Sequence, residues 1–186
     1  MQKEVFEQKR KSYIEIGNIY FWTATINNWQ KLLMDDEFKD VIISSLEYLS
    51  KEGKIDVFAF VLMPNHIHLI WRTKELNGKE SAQGSFLKFT AHTFKKLLKG
   101  RQPDLLIQFR VEAGNKKFEF WQRDSLAVHL YTKEVALQKL EYIHNNPLAE
   151  HWNLVSDPSS YKYSSASFYE KGVKDFRFLK DIRDEF

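Results

Sequence analysis

Two apolar stretches separated by a short break give the clearest structural signal in the chain. The first covers residues 55–63 and the second covers residues 66–73, with Pro64 and Asn65 between them. Proline and asparagine are typical of turns, so the pattern predicts a β-hairpin. Side chains alternate between the two faces of a strand, so His66 and His68 should point the same way at the start of the second strand.

The remaining predicted elements complete an alternation of strands and helices. A first strand is predicted over 19–26, and a helix from Asp35-Asp36-Glu37 to about Lys51, with acidic residues at its start. A polar loop over 73–84, a second helix over 85–98 and a further strand over 118–123 follow. The second helix has four residues at core spacing, namely Phe86, Phe89, Phe94 and Leu97. The order is that of an α+β, ferredoxin-like fold: an antiparallel sheet with helices packed on one face.

The last predicted helix, over 134–146, carries the second group of chemically interesting residues. Its apolar stripe consists of Val135, Leu137, Leu140 and Ile143. Pro147 disfavours helical geometry at the residue before it, so the helix should end near Asn146. Tyr142 and Asn146 are four residues apart and share a face of the last turn. Taken alone, they are interpreted as a packing tyrosine and a C-terminal cap.

Composition narrows the class of protein. The chain has 186 residues, 43% of them hydrophobic and 15% aromatic, which suits one globular domain over 1–186 with a charged, loose N-terminal segment over 1–15. Cysteine is absent, so disulfides and thiolate metal sites are excluded. No apolar run reaches the roughly 20 residues needed to cross a bilayer, and no signal-peptide pattern occurs at the N-terminus. We therefore expect a cytoplasmic protein with no membrane partner.

The charge balance permits but does not require a nucleic-acid partner. The formal net charge is +3, and basic residues cluster at the end of the second predicted helix, at Lys95, Lys96, Lys99 and Arg101. Such residues either complement the helix dipole or contact phosphates.

Two imidazoles on one strand face can hold one metal ion. A bare His-x-His pair is more often two half-exposed strand histidines, but here the order of other motifs matches a known family. The matching segments are residues 61–69 (VLMPNHIHL), 120–123 (FWQR), 142–147 (YIHNNP) and 157–166 (DPSSYKYSSA). With these segments in order over roughly residues 19–170, the chain resembles the single-tyrosine HUH-endonuclease transposases, and is most similar to the REP-associated tyrosine transposases, where REP means repetitive extragenic palindrome.

The resemblance implies a function and assigns residues to it. It makes Tyr142 the nucleophile, and it makes His66, His68 and Asn146 the ligands of a divalent metal, Mg²⁺ or Mn²⁺. The implied activity is cleavage and rejoining of single-stranded or hairpin DNA through a 5′-phosphotyrosine intermediate. It also allows for a homodimer, with Tyr142 working in its own subunit or across the dimer.

Further DNA contacts are expected on the same basis. Arg123 lies in a segment that the family repeats, although a structural salt bridge is an equal alternative. Four aromatic residues could stack unpaired bases, but a place in the core is the favoured interpretation for most of them: Phe21, Trp22, Trp71 and Trp121. We assign no role to the remaining histidines, His92, His129, His144 and His151.

The chain departs from the family where residues 148–154 (LAEHWNL) stand in place of a valine, a basic residue and a small Ala-Gly pair. Three alternatives remain open. A replication-initiator or relaxase-like nickase usually places its tyrosine differently or carries two. A non-catalytic nucleic-acid-binding module would use His66 and His68 structurally. A metal-dependent hydrolase would need a carboxylate base beside the histidines, and the strand segments offer none.

Overall fold

A computed structural model of the chain describes residues 14–113, 116–123 and 125–186. Most of the N-terminal segment predicted to be loose, residues 1–13, lies outside this range. The strands are β1 (Ile19–Thr25), β2 (Ile55–Met63), β3 (His66–Thr73), β4 (Arg110–Ala113), β5 (Lys116–Phe118) and β6 (Leu126–His129). The helices are α1 (Asp36–Lys51), α2 (Ala82–Arg101), α3 (Pro103–Ile107), α4 (Lys133–Asn145) and α5 (Ala166–Lys171). In the described residues, no helix combines the length and apolarity needed to cross a membrane.

Four strands form the central sheet, in the order β2-β3-β1-β6, and every neighbouring pair is antiparallel. The two inner strands are adjacent in space but separated by α1 and β2 in the chain, which is the ferredoxin-like arrangement. The predicted α+β fold is therefore confirmed. The β2–β3 hairpin has the predicted strand boundaries, with Pro64 and Asn65 as its turn.

One face of the sheet packs against α1 and α2. Large apolar side chains from alternate strand positions lie there, among them Trp22, Phe60 and Trp71, all with no exposed surface. Both helices begin at a capping side chain, since Asp35 accepts from the amide of Glu37 and Ser81 accepts from the amide of Gly84. This face holds the larger of the two hydrophobic clusters and was predicted to carry the two helices.

The opposite face packs against α4. Phe21 and Ile70 from the sheet meet Leu140 and Ile143 from the helix in a second, smaller cluster. A bulge between Val57 and Ala59 in β2 shifts the alternation of that strand. Since Ile70 faces α4 and lies two positions beyond His68, both histidines of β3 also lie on this face. The fold thus places the predicted metal ligands and the predicted nucleophile on the same side.

Three sequence predictions need correction. Leu137 and Phe89 were placed in apolar stripes, but their side chains are 37% and 52% exposed, and Ala136 and Thr90 are buried instead. Residues 118–123 do not form a strand of the central sheet: β5 ends at Phe118, and Trp121 makes an isolated bridge to Ile26. The fourth strand is β6, which follows this segment.

The C-terminal part of the chain ties α4 to the sheet. His144 of α4 forms a 2.9 Å hydrogen bond between its Nε2 and Ser165 Oγ, and the same hydroxyl accepts from the amide of Phe60 in β2 at 3.0 Å. Tyr161 donates its hydroxyl to the carbonyl of Leu62 at 2.7 Å. The segment 157–166, which contributed to the family resemblance, therefore fixes the position of α4 against β2.

Candidate active site

The two histidines of β3 lie side by side at the hairpin end of the sheet. His66 pairs with Thr25 and Met63 in the neighbouring strands, and His68 pairs with Thr23 and Val61. Both side chains are almost fully buried, and their ring centroids are 4.7 Å apart. The turn before them is anchored from outside, because the carbonyls of its two residues accept from the amides of Leu33 and Ile26. Backbone hydrogen bonds to the neighbouring strands and to the turn therefore fix the position of the two histidines.

Each imidazole has a partner at its Nδ1 atom. His66 Nδ1 lies 2.7 Å from Asn65 Oδ1, and His68 Nδ1 lies 2.7 Å from Thr23 Oγ1. An amide oxygen only accepts, so His66 must carry its proton on Nδ1, which leaves its Nε2 lone pair available. The hydroxyl of Thr23 can accept a hydrogen bond from the Nδ1–H of His68 in the same way. Metal-binding histidines usually have such a partner on the ring nitrogen that does not bind the metal, and this partner fixes the orientation of the ring.

Burial keeps both histidines neutral. Desolvation is the main cause in each case: it lowers the pKa of His66 to about 4 and that of His68 to about 3. The neighbouring imidazole and Lys139 lower the pKa of His68 further, while a hydrogen bond with Asn146 opposes the shift at His66. A neutral imidazole is the form that binds metals, so protons do not compete for these nitrogens at neutral pH.

Helix α4 brings Tyr142 and Asn146 to the histidines. Thr132 caps the helix by accepting from the amide of Val135, while Ala136, Leu140 and Ile143 are buried beneath it. Tyr142 is 48% exposed, and its ring centroid lies 5.4 Å from that of His68 and 5.9 Å from that of Phe21.

Asn146 caps the C-terminal end of α4 and is 9% exposed, with its side chain in contact with His66. The structure therefore brings together all four residues of the predicted catalytic set.

These residues line one open pocket of about 610 Å³. Its walls come from β1, the hairpin end, α4 and the segment after it, and its lining residues are Thr23, Thr25, Trp29, His66, His68, Gln138, Glu141, Tyr142, Asn145, Asn146, Ala149, His151 and Trp152. Within the described residues, no group of three or more His, Cys, Asp or Glu side chains could hold a metal ion. Two imidazole nitrogens and the amide oxygen of Asn146 nevertheless fit a divalent cation that keeps part of its water shell.

Two other tyrosines that could be considered as nucleophiles, Tyr131 and Tyr161, are placed differently. Tyr161 donates to the Leu62 carbonyl, and burial raises its pKa, which makes its phenolate harder to form. Tyr131 is 71% exposed, and its ring packs edge-on against His129 at the opposite end of β6 from the pocket. Neither lines the pocket with the two histidines. Tyr142 is thus the tyrosine that the fold presents to the site.

The five predicted DNA-binding cations lie in different places. Lys95 and Arg123 line a second groove, of about 760 Å³, between α2 and residues 117–123. Lys95 lies over the Phe118 ring at 5.0 Å, and Arg123 makes a 3.0 Å ion pair with Glu119. Arg101 pairs with Glu37 at the start of α1. Lys96 and Lys99 are exposed on α2 but do not line the groove.

The aromatic residues considered as stacking platforms are core residues, as the favoured interpretation had it. Trp22 and Trp71 have no exposed surface, Phe21 is 4% exposed, and Trp121 donates its indole N–H to Thr90 Oγ1 at 2.9 Å. Sequence reasoning did not select the two tryptophans that line the pocket, Trp29 and Trp152. It also passed over Thr23 and Asn65, although their positions beside the histidines in strand order are a usable signal.

The fold matches that of a transposase of known structure. The solved structure of a REP-associated tyrosine transposase bound to a REP hairpin superposes on this chain with a TM-score of 0.59. The sequence identity is 17%, and the match covers 92% of this chain and 91% of that chain. The resemblance that the sequence motifs indicated is therefore confirmed at the level of the fold.

A second solved structure, of a protein from Deinococcus radiodurans R1 proposed to be a transposase, matches with a TM-score of 0.37 and 16% identity over 78% of this chain and 97% of that chain. Only the first likeness is close enough to show a common fold. No protein-family model matches the chain, and no curated protein matches it.

Proposed function

We propose that this protein is a transposase: a metal-dependent tyrosine nuclease and strand-transferase for single-stranded DNA. The observation that carries the proposal is the meeting of Tyr142 with His66, His68 and Asn146 in one pocket. The phenol ring lies 5.4 Å from the imidazole of His68, on a helix that is capped and packed against the sheet. The likeness of fold to a REP-associated tyrosine transposase supports the same conclusion.

In the proposed reaction, the Tyr142 oxygen attacks the phosphorus of a phosphodiester in line with the bond that breaks. The phenol loses its proton, a new oxygen–phosphorus bond forms, and the strand leaves with a 3′-hydroxyl. The product is a 5′-phosphotyrosine ester, which keeps the energy of the broken bond. A different 3′-hydroxyl can then attack this ester, which rejoins DNA and restores the phenol.

We assign His66, His68 and Asn146 to holding a divalent cation, Mg²⁺ or Mn²⁺. When bound, the ion supplies Lewis acidity toward a non-bridging phosphate oxygen. Asn65 and Thr23 fix the imidazole rings from behind, and burial keeps those rings unprotonated. Lys139, with its ammonium 5.5 Å from the centre of the Tyr142 ring, adds a positive charge beside the place where the phosphate would lie.

The proposed substrate is a hairpin with a single-stranded flank. The transposase of similar fold is bound to a REP hairpin in its solved structure. Here the groove with Lys95 and Arg123 offers cations for a phosphate backbone. One backbone hydrogen bond links the two linings: the amide of Gln122, which lines the groove, donates to the carbonyl of Thr25, which lines the pocket. We propose that one DNA molecule contacts both the groove and the pocket.

In this proposal each active site is formed by a single chain. Tyr142 and the two histidines belong to the same pocket of the same chain, so Tyr142 is proposed to act in its own subunit. A homodimer would carry two such sites.

The experiment is incubation of the protein with a labelled library of single-stranded hairpins and Mn²⁺, followed by a denaturing gel. We expect a covalent protein–DNA band from the wild type, and none after chelation of the metal. Tyr142→Phe removes one oxygen and keeps the ring, so DNA binding should persist while the covalent band falls by at least about a thousandfold.

Tyr131→Phe is the matched control, since Tyr131 is another exposed tyrosine that lies outside the pocket. It should behave as the wild type. A covalent band of undiminished strength from Tyr142→Phe would contradict the proposal.

A second candidate, a hydrolase that uses water, has one observation in its favour: the carboxylate of Glu141 lines the same pocket. Such an enzyme would cut DNA without a covalent band, and Glu141→Gln rather than Tyr142→Phe would stop it. A replication-initiator-like nickase would form the same covalent band but would reseal the strand that it had cut rather than join it to a different one. A binding module would retain the hairpin and cut nothing.

A further inference from the structure

We propose that Trp29 and Trp152 form a clamp that stacks an unpaired nucleobase next to the reacting phosphate. The proposal rests on the function proposed above and adds a binding site for the base itself. Both indoles line the pocket that holds His66 and Tyr142. Neither belongs to a segment that carried the family resemblance, and Trp152 lies in the segment where the chain departs from it.

Trp29 has the features of a residue that contacts a ligand rather than one that packs in the hydrophobic core. Its side chain is 62% exposed, although tryptophan is among the residues most strongly driven to burial. Its backbone is in the left-handed region with φ of 56°, and Asn28 before it has φ of 54°. This conformation is unfavourable for a bulky side chain, and such strain is concentrated at functional sites.

The backbone that carries the exposed indole is nevertheless held in place, and by the same residue that orients a histidine. The carbonyl of Trp29 accepts from Asn65 Nδ2 at 3.3 Å, while Asn65 Oδ1 accepts from His66 Nδ1 at 2.7 Å. The amide of Trp29 donates to the carbonyl of Ile26 at 3.0 Å. One side-chain amide therefore links the position of Trp29 to that of His66.

Trp152 supplies the second ring. Its centroid lies 6.0 Å from that of His66, and its amide donates to the carbonyl of Ala149 at 2.7 Å. The ammonium of Lys31 lies over the Trp152 ring, 5.9 Å from its centre, so a positive charge stands on one side of the indole. His151 lies next to the same ring, at 5.3 Å.

A nucleobase is the occupant that fits this combination. The pocket presents two indoles, three imidazoles and a phenol, with the ammonium of Lys31 over one indole. A base offers a π-face to an indole, and its phosphate offers negative charge to the cations. Stacking is tolerant of sequence because every base has a π-face, so the clamp would recognise that a base is unpaired rather than which base it is. It would select single-stranded DNA at the place of cleavage.

The test uses the Tyr142→Phe protein, so that no covalent reaction obscures binding, and a hairpin oligonucleotide with 2-aminopurine placed in turn at each position of its single-stranded flank. We expect fluorescence quenching at one or two flank positions. Trp29→Asn removes the ring while suiting a left-handed backbone, and it should abolish that quenching and weaken binding by about 5- to 150-fold. Trp152→Ala should act in the same direction, and Trp29→Phe, which keeps a ring, should lose less.

Tyr48→Ala is the matched control, since Tyr48 is a 56% exposed aromatic residue on α1 and should leave both readouts unchanged. The clamp is refuted if Trp29→Asn and Trp152→Ala, with wild-type melting curves, leave quenching and affinity unchanged. It is also refuted if Trp29→Asn alters only the oligomeric state, which would make the indole a protein contact. Binding is measured without cleavage, so the two proposals can fail separately. If the wild type forms no covalent band but shows quenching that depends on the indoles, the proposed enzyme activity is refuted and the clamp is supported.

Discussion

The two faces of the central sheet are built from the same strands but have different contents. Toward α1 and α2, every strand position from the sheet centre to the hairpin end is apolar, ending in Ile26 and Ile67. Toward α4, the apolar residues of β1 and β3 stop at Phe21 and Ile70, while those of β2 continue through Val61 and Met63. Beyond Phe21 and Ile70, Thr23 and His68 face the same side, followed by Thr25 and His66.

The difference shows how one fold separates stability from chemistry. The α1–α2 face buries large rings such as Trp22 and Trp71, whose apolar area stabilises the fold. At the hairpin end of the α4 face, β1 and β3 carry threonines and two imidazoles in place of apolar side chains, and each imidazole has a hydrogen-bond partner. Because adjacent residues of β3 alternate between faces, neighbouring substitutions should have separate effects.

The largest expected effect compares His68→Ala with Ile67→Ala. His68→Ala should reduce DNA cleavage below detection, since it removes a proposed metal ligand, and should leave the protein folded. Ile67 is fully buried on the opposite face, so Ile67→Ala should lower the free energy of unfolding by about 2–5 kcal/mol while the remaining folded protein still cleaves. Urea unfolding and the gel assay measure the two effects. Full cleavage by both His66→Ala and His68→Ala would refute the metal-site assignment.

An intermediate effect is expected from the residues that hold the imidazoles from behind. Asn65→Ala and Thr23→Val each remove the partner of one histidine Nδ1 atom. Loss of such partners typically weakens metal binding by about 10- to 100-fold. Activity should therefore need more Mn²⁺ to reach half its maximum and should recover at high Mn²⁺. A maximal rate that stays low at saturating metal would mean that these residues act on the fold instead.

A smaller effect should appear in the acid stability of the metal-free protein. His66, His68 and His144 have lowered pKa values in the folded state, of about 4, 3 and 4, because they are buried on the α4 side. The unfolded chain therefore binds more protons below pH 6.5, so the free energy of unfolding should fall as pH drops from about 6.5 toward 4. Each histidine contributes a slope of at most about 1.4 kcal/mol per pH unit.

Above about pH 6.5 these histidines are neutral in both the folded and the unfolded chain, so this loss of stability is absent. Urea unfolding at several pH values measures the slope, which should be shallower in His144→Asn. An identical slope in that variant would show that His144 does not contribute.

Much of the fold was predictable because strong apolar patterns reflect deep burial. The hairpin has the predicted boundaries, and β2 is buried along its whole length. The fourth strand was missed because β6 lies at a sheet edge with Leu126 43% exposed, so its apolar pattern is weak. The aromatic segment 118–123 gave the stronger signal but packs its rings under α2. Helical spacing likewise does not give the width of a buried stripe, which is why Leu137 and Phe89 were misplaced.

The site was predictable to the extent that local geometry places its residues. Strand alternation put His66 and His68 on one face, and helical spacing put Tyr142 beside Asn146. Their meeting depends on α4 crossing the face opposite α1 and α2, and this is a tertiary arrangement that periodicity does not encode. The second role of Asn65 was also out of reach, because that partner is the backbone of Trp29, 36 residues away.

Peptide mapping of the trapped covalent product by mass spectrometry tests the central claim most directly. After reaction with a hairpin substrate and Mn²⁺, nuclease trimming and proteolysis, the account predicts a nucleotide attached through its 5′-phosphate to the peptide that contains Tyr142. The same preparation from His68→Ala should contain no such peptide. A nucleotide found on another residue, or a cleaved hairpin with unmodified Tyr142, would contradict the account.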